Sequence, residues 1–377
     1  MKRLLCLLFA ILMVTLCACK SGEQPSPSAS APPSPSVSVP PSPSPSAEPG
    51  PSQEPEQSPT PGPSGAIPYV NPLTGLPTEE DTSNQKPVAI MLNNIKAAMP
   101  QQGNSQADII YEVLAEGGIT RMVGIYHDIS ELGVVGSVRS ARLYYWDLAL
   151  GHDAVFVHAG GSPEFYECKD SRDLSTVDGV NGYYGYASTG LFWRDRERIE
   201  GKYYAYEHSL ITSGEKLTEI LTKRGELGQH SDGYVYEMTF AADGTPADGQ
   251  SALTVTVPFS NSKSTIFRYD ESTGRYLAEQ YGGAMLDGND GAQIAVTNLL
   301  ILRTKCTVVD DAGRLSVDLS SGEGWFACGG KLIPITWEKG DCDQQLRYYT
   351  ADGAPLTLGQ GKSYVCIIPT TREITTE

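Results

Sequence analysis

The chain reads Pro87-Val-Ala-Ile-Met-Leu92 near the start of its folded part, a short apolar run of the kind that forms a buried strand. Two similar runs follow, at Ile119 to Tyr126 and at Ala154 to His158, and each is bounded by glycine or polar residues. The three runs therefore predict short buried strands.

Helical patterns lie between and after these runs. Ser140 to Leu150 carries apolar residues at helical spacing, and Ser209 to Arg224 does the same, beginning with Leu210. Strands that alternate with helices predict an α/β domain, which we assign to residues 67–240.

The pattern changes after about Thr239. Leu253-Thr-Val-Thr-Val257 alternates with a period of two, as a half-buried strand does. Phe267 to Leu277 reads as strand, turn and strand, with Gly274 in the turn. We therefore predict a mostly antiparallel β domain over residues 241–377, and an α+β protein as a whole.

The N-terminus has the features of an export signal. Lys2-Arg3 precedes an apolar run from Leu4 to Leu16, which is too short to span a bilayer. The run ends in Leu16-Cys-Ala-Cys19, which resembles the lipobox of bacterial lipoproteins. Residues 1–18 are predicted to be a signal peptide and Cys19 the lipidated residue, anchored in the bilayer at the outer face of the cell membrane. The alternative is an ordinary cleaved signal with incidental cysteines.

Composition limits the remaining choices. Of the 26 prolines, 15 lie between Pro25 and Pro63, so residues 19–66 are predicted to be a disordered Pro/Ser-rich stalk. A net charge of −17 argues against a nucleic-acid partner, which requires an excess of lysine and arginine. A hydrophobic content of 40% is too low for a protein with many membrane spans.

Arginine and histidine residues mark a candidate anion-binding cleft in the α/β domain. Gly160-Gly-Ser162 follows a predicted strand, where free backbone N–H groups at a helix start receive anions. Arg139 and Arg142 are predicted to lie on neighbouring positions of a helix that opens at Gly136, and guanidinium groups suit carboxylate or phosphate. The candidate ligand residues are Arg121, Arg139, Arg142, His158, Ser162, Arg194 and His208.

Structural interpretations of the same residues stay open at this point. A histidine at a strand end, such as His158, is often hydrogen-bonded within the fold. Arg139 and Arg142 have three carboxylates to pair with inside the domain, namely Asp108, Glu112 and Asp147.

Cofactor and metal signatures are absent from the sequence, so no cofactor, no metal and no catalytic residue is predicted. Cys168 stands alone in the first region, and the other four cysteines lack the CxxC spacing of a zinc site, namely Cys306, Cys328, Cys342 and Cys366. Outside the membrane they form disulfides or stay buried thiols, and the sequence does not decide between the two. Asp287 to Gly291 lacks the ligand spacing of a calcium-binding loop.

A series of motifs in fixed order resembles the YerB family of bacterial surface lipoproteins. The motifs are Asn71 to Pro77, Lys86 to Asn94, Ser105 to Glu112, Glu116 to Arg121, Gly136 to Arg142, His158 to Ser162, Gly322 to Phe326, Gly330 to Trp337 and Asp352 to Pro355. The resemblance implies an envelope lipoprotein with two domains of unassigned function, and it transfers no catalytic residues. The chain departs from the family pattern at Ser137, where proline is frequent, and around His208, where the family often has Pro-His-Asn.

Three functions fit these features. The first is an anchored binding or scaffold protein that holds an anionic cell-wall fragment or an envelope protein in the Arg/His cleft. The second is a wall-modifying hydrolase or transferase that uses His158 or His208 as acid or base. The third is an assembly protein whose β domain pairs with other envelope proteins.

Overall fold

The computed structural model describes residues 69–172 and 174–377, which are mostly strand with few helices. The predicted signal peptide, the stalk and Cys19 lie outside these residues. The strands of the first region are β1 (Tyr69–Val70), β2 (Pro77–Thr78), β3 (Val88–Asn94), β4 (Ile109–Leu114), β5 (Thr120–Tyr126), β6 (Val134–Gly136), β7 (Val155–His158), β8 (Val177–Asp178), β9 (Trp193–Arg194) and β10 (Leu210–Ser213). Its α-helices are α1 (Leu143–Leu150), α2 (Pro163–Arg172) and α3 (Gly214–Arg224). Its 3-10 helices are Lys96–Ala98, Asn104–Gln106, Glu116–Gly118 and Tyr206–His208.

The second region contributes only strands among its described residues. They are β11 (Thr239–Ala241), β12 (Gln250–Ser251), β13 (Thr254–Pro258), β14 (Ser264–Asp270), β15 (Arg275–Gln280), β16 (Gly283–Ala284), β17 (Ala295–Val296), β18 (Asn298–Thr304), β19 (Cys306–Val308), β20 (Leu315–Val317), β21 (Ser321–Cys328), β22 (Lys331–Lys339), β23 (Leu346–Thr350), β24 (Thr357–Gly359), β25 (Ser363–Pro369) and β26 (Thr375–Thr376).

One mixed sheet of 11 strands joins the two regions, in the order β12-β22-β21-β18-β25-β4-β5-β3-β7-β8, with β23 also paired to β22. The junction is a parallel pairing in which Ser363 to Ile367 of β25 face Ile109 to Val113 of β4. Strands from both sides of residue 240 therefore share main-chain hydrogen bonds, whereas the sequence predicts a separate sheet for each region.

The large sheet is buried on both faces. All seven residues of β3 are buried, and they alternate between two cores. Ile90 packs on the side that holds α3 and a six-stranded sheet made of β13–β17 and β26. Met91 packs on the side that holds α1, whose Trp146 is 1% exposed. This two-sided burial explains the unbroken apolar run that begins at Val88.

The predicted hairpin in the second region is confirmed. Strands β14 and β15 pair antiparallel from Thr265–Gln280 to Asp270–Arg275. Gly274 in the turn has a φ of +68°, a conformation that side chains with a Cβ rarely adopt.

Both predicted helices begin later than the sequence pattern indicates. The first starts at Leu143, not at Ser140, and the second starts at Gly214, because Leu210–Ser213 form strand β10. Ser213 caps α3 by accepting a hydrogen bond from the Lys216 N–H at 3.3 Å. The leading residues pair with neighbouring strands, so tertiary hydrogen bonds override the local helical spacing.

Candidate functional site

Three arginines converge on one carboxylate at the edge of β5. Glu116 lies in the 3-10 turn between β4 and β5, and its Oε1 accepts a hydrogen bond from Nε of Arg142. Its Oε2 lies 3.4 Å from Nη2 of Arg121. Arg139 lies in the same segment, three residues before Arg142, and its charge interacts with the charges of Arg121 and Glu116. The group formed by Glu116, Arg121, Arg139, Arg142, Arg194 and His208 is called the arginine cluster below.

The arginines reach Glu116 because residues 136–142 are extended. Val138 bridges to Leu92 of β3, and the Arg139 N–H donates to the Met91 carbonyl at 3.0 Å. Arg142, the residue before α1, has φ −132° and ψ 158°. The predicted helical placement of Arg139 and Arg142 is therefore wrong, although Arg142 directly precedes α1.

The turn Tyr206–His208 joins two more of the predicted residues to the cluster. Nη1 of Arg139 donates to the Glu207 carbonyl at 2.8 Å, and Nη1 of Arg194 donates to the Tyr206 carbonyl at 2.7 Å. The Arg194 guanidinium lies over the Tyr206 ring, 3.7 Å from its centroid. Arg139 and Arg194 thus donate to backbone carbonyls and not to carboxylates, so their charges are left uncompensated by direct ion pairs within the described residues.

Charge is unevenly balanced in the arginine cluster. Burial, and then the charge of Arg121, lowers the pKa of Arg139 to about 10, so that this guanidinium stays protonated at neutral pH. Burial alone would raise the pKa of Glu116, but Arg142 and Arg121 more than offset it and keep the carboxylate ionised. The charges of Arg121, Arg139 and Arg142 therefore act on one carboxylate. Arg194 adds a fourth guanidinium at the adjoining Tyr206–His208 turn, and the exposed Glu207 lies at the margin.

His208 belongs to the cluster, and one of its two ring nitrogens is bonded within the fold. Its Nδ1 lies 3.1 Å from Nδ2 of Asn93, and its Nε2 lies 3.9 Å from the Glu207 carboxylate. Burial and then Arg139 lower the pKa of His208, because a second positive charge is unfavourable beside the guanidinium. The ring is therefore neutral at pH 7.

His158 and Ser162 are not part of the cluster. His158 is 0% exposed and packs between Phe156 and Phe165, while its ring nitrogens contact the Gly160 carbonyl and the Thr176 hydroxyl, both at 2.9 Å. The Ser162 hydroxyl accepts the Phe165 N–H at 3.3 Å and caps α2. Both side chains are committed to the fold.

The anion predicted for the Gly160 loop is supplied by the protein itself. Oδ1 of Asp178 accepts hydrogen bonds from the N–H groups of Gly160 at 2.8 Å and Val180 at 2.9 Å. A carboxylate of the neighbouring strand β8 thus fills the position where an external anion was expected.

None of the three carboxylates suggested as partners for Arg139 and Arg142 bonds to them. Asp147 contacts Arg172, and Asp108 accepts the His127 N–H. Glu116 lies within one of the sequence motifs, but its role as the carboxylate that pairs with Arg121 and Arg142 was not predicted. A glutamate five positions before an arginine across a Gly-Gly turn is the signal that could have found it.

A second polar cluster, centred on Glu112 of β4, also went unpredicted. Glu112 is 0% exposed, and its neighbours come from both regions of the chain. Its carboxylate contacts Asn94 at 2.7 Å, Thr120 at 2.7 Å, Lys263 at 3.1 Å, Thr265 at 2.8 Å, Gln280 at 3.2 Å and Tyr364 at 2.7 Å. It lies between the two sheets and is sealed from solvent, so its role is in holding the sheets together.

Within the part of the chain that the structure describes, no group of three or more His, Cys, Asp or Glu side chains has the arrangement of a metal site. Asp287, in the acidic loop, instead binds the chain itself by accepting the N–H groups of Gly103 at 3.0 Å and Ser105 at 2.9 Å. Over the same described residues, no helix has both the length and the apolarity to cross a membrane.

These features define a class of strand-rich protein in which two sequence regions share one sheet and a cationic cluster lies at the ends of interior strands of that sheet. The chain belongs to the DUF3048 family of proteins of unknown function: residues 73–227 match its N-terminal domain and residues 255–365 match its C-terminal domain.

Two comparisons place the chain beside YerB of Bacillus subtilis. The chain is 31% identical over 302 residues to the putative lipoprotein YerB of strain 168, covering 79% of this chain and 86% of that protein. A crystal structure of B. subtilis YerB superposes with a TM-score of 0.69 at 28% identity, covering 81% of this chain and 99% of that one. The predicted family is confirmed.

Proposed function

We propose that this protein is an extracytoplasmic envelope lipoprotein whose arginine cluster binds an anionic ligand of the cell wall. The relative named as a putative lipoprotein supports the anchored location, as does the Leu16-Cys-Ala-Cys19 motif. The predicted signal peptide 1–18 and stalk 19–66 belong to the same proposal.

The excess of guanidinium groups around Glu116 is the observation that carries the binding proposal. Arg139 and Arg194 direct their N–H groups to main-chain carbonyls, which do not neutralise their charge. The chain as a whole carries a net charge of −17, so a cationic group is a local exception. An anion that reaches the cluster gains charge-assisted hydrogen bonds worth about 1.5–3 kcal/mol each.

Exposed aromatic rings beside the cluster extend the surface that a ligand can contact. Tyr186 and Tyr206 flank Arg194 and are 39% and 51% exposed. Exposed tyrosines next to arginines are typical of binding surfaces, because both contribute large contact area together with hydrogen bonds.

The alternative of a wall-modifying enzyme lacks comparable support. His158 has both ring nitrogens bonded within the fold. In His208, Nδ1 contacts the Asn93 amide and Nε2 lies 3.9 Å from the Glu207 carboxylate, which is not a hydroxyl or thiol nucleophile. A general base needs a free nitrogen within reach of the proton it removes.

The anchor is tested by Cys19→Ser in the full chain. Loss of the acylated cysteine should move the protein from the membrane fraction to the soluble fraction, because two acyl chains supply the anchoring. Mass spectrometry of the intact protein reports the lipid directly. Retention of the variant in the membrane at unchanged mass rejects the lipoprotein assignment.

The binding site is tested by Arg139→Gln in a sedimentation assay with isolated cell walls. The loss of one charge-assisted hydrogen bond should weaken binding by about tenfold, which corresponds to about 1.4 kcal/mol. Arg268→Gln is the matched control, because this arginine is 51% exposed, lies in the six-stranded sheet and pairs with Glu279. Equal binding by both variants and the unmodified chain contradicts the proposal.

A further inference from the structure

Two cysteines that are distant in sequence approach one arginine. Cys168 lies in α2 and Cys342 lies in the turn between β22 and β23, and the two are 174 positions apart. Both are partly exposed free thiols. Cys168 is the one cysteine of residues 67–240 in the sequence, yet Cys342 from the second region lies within range of it in the structure.

Hydrogen bonds and a charge interaction link the segments that carry both cysteines to Asp147 of α1. Nζ of Lys339 donates to the Cys342 carbonyl at 2.6 Å, and its charge acts on Asp147. Asp147 in turn contacts Nη1 of Arg172 at 3.5 Å. Arg172 is four residues after Cys168, so the two side chains lie on the same face of α2. The helix therefore contacts Asp147 through Arg172, and the turn lies within range of its charge through Lys339.

Packing and charge support the same arrangement. The Gln344 carbonyl, in the same turn as Cys342, packs against Gly151 directly after α1, where a Cβ would lie 2.7 Å from it. Burial would lower the pKa of Arg172, but Cys342, Cys168 and Asp147 together raise it above its usual value. Both sulfurs are thus within electrostatic range of one guanidinium. Arg172 favours the Cys168 thiolate that reacts in disulfide exchange, but burial is the larger effect and raises the pKa of that thiol.

We propose that Cys168 and Cys342 form a disulfide that ties α2 of the first region to the β22–β23 turn of the second. One thiolate attacks a disulfide oxidant and releases half of it as a thiol. The second thiolate then attacks the mixed disulfide and releases the other half. The protein loses two protons and two electrons, and the oxidant is reduced to two thiols. That an oxidant is met in the cell rests on the proposed export, whereas the pairing itself does not.

The pairing is tested on the full chain, purified in detergent, reduced, and then treated with oxidised glutathione. Non-reducing peptide mapping should recover one cross-linked species that joins the peptides of Cys168 and Cys342 and disappears on reduction. The melting temperature of the oxidised chain should exceed that of the reduced chain by about 5 °C, because the closed loop is long.

Variants separate the pairing from non-specific oxidation. Cys168→Ser should abolish the cross-link and leave Cys342 as a glutathione adduct or an unreacted thiol, and Cys342→Ser should do the same for Cys168. Cys306→Ser is the control and should leave the cross-link intact, since burial raises the pKa of that thiol to about 11. Recovery of both cysteines as separate glutathione adducts, or a cross-link to Cys306, overturns the proposal. Because the oxidant is added in vitro, failure here is distinct from failure of export, which the Cys19→Ser fractionation reports.

Discussion

Glu112 and Glu116 are four positions apart, yet they build opposite kinds of polar cluster. Glu112 is 0% exposed and is surrounded by six hydrogen-bonding or charged side chains from both regions, including the ammonium group of Lys263. The Glu116 side chain is 19% exposed and faces more guanidinium charge than it can neutralise. The comparison indicates that the ratio of carboxylate to cationic groups, and not the presence of charge, distinguishes the structural cluster around Glu112 from the arginine cluster that we propose binds an anion. Glu112, whose carboxylate contacts six side chains, holds the two sheets together. Glu116, a single carboxylate beside several guanidinium groups, leaves positive charge that is not neutralised.

The largest expected effect comes from breaking the buried cluster. Glu112→Gln leaves the Lys263 ammonium, 3% exposed, without its counter-charge. The free energy of unfolding should fall by about 3–5 kcal/mol, measured by chemical denaturation. Glu279→Gln removes a solvent-exposed partner of Arg268 and should cost at most about 1 kcal/mol. If the losses in the free energy of unfolding of the two variants differ by less than about 1 kcal/mol, Glu112 does not have the structural role assigned to it.

An intermediate effect is expected at the other glutamate. Glu116→Gln leaves Arg121 and Arg142 without their carboxylate, so the free energy of unfolding should fall by about 1 kcal/mol. Low concentrations of sulfate at constant ionic strength should offset this loss in the free energy of unfolding, because an anion that binds only the folded state stabilises that state. Thermal unfolding of the variant should therefore respond to sulfate more strongly than that of the unmodified chain. Equal responses would show that Glu116 does not compete with an external anion.

The smallest effect concerns pH. Burial and then Arg139 hold the pKa of His208 below its usual value, so the ring gains its proton only as pH falls below about 6.5. The added charge should tighten sulfate binding by a few fold as pH falls, since sulfate keeps its charge over this range. Titration calorimetry at several pH values measures the trend, and His208→Gln should remove it. His230→Gln, whose ring contacts Asp153 instead, should leave the trend intact.

Sequence patterns predicted the elements whose signals are local. The run from Val88 forms β3, and Gly274 forms the turn of the predicted hairpin, because burial and turn geometry are both set by neighbouring residues. The start of α1 was misplaced, because Val138 and Arg139 bond to β3 across a distance that no local pattern encodes. The domain boundary near residue 240 stays a prediction.

The candidate site was predicted only in part, because residue type is visible in the local sequence whereas side-chain direction is set by the tertiary structure. Residue type alone singled out Arg121, Arg139, Arg142, Arg194 and His208, which the structure brings together. His158 and Ser162 were grouped with them because they lie at and after the end of a strand. The His158 side chain packs in the core against Phe165, and the Ser162 side chain caps α2. Glu112 gave little signal, because a single acid within an apolar strand reveals its partners only after the sheets have packed.

The pairing of β25 with β4 sets the order in which this chain can fold. The two strands are separated by about 250 residues, and β25 lies between β4 and β18 in the middle of the large sheet. A chain that emerges from synthesis or export with its N-terminus first holds both of those neighbours before the strand that fills the gap between them is available. Sheet closure must therefore wait until Ser363–Pro369 has emerged, and contacts of such long range make this step slow. Until then the facing edges of β4 and β18 lack partners, which makes the unfinished chain dependent on protection from aggregation.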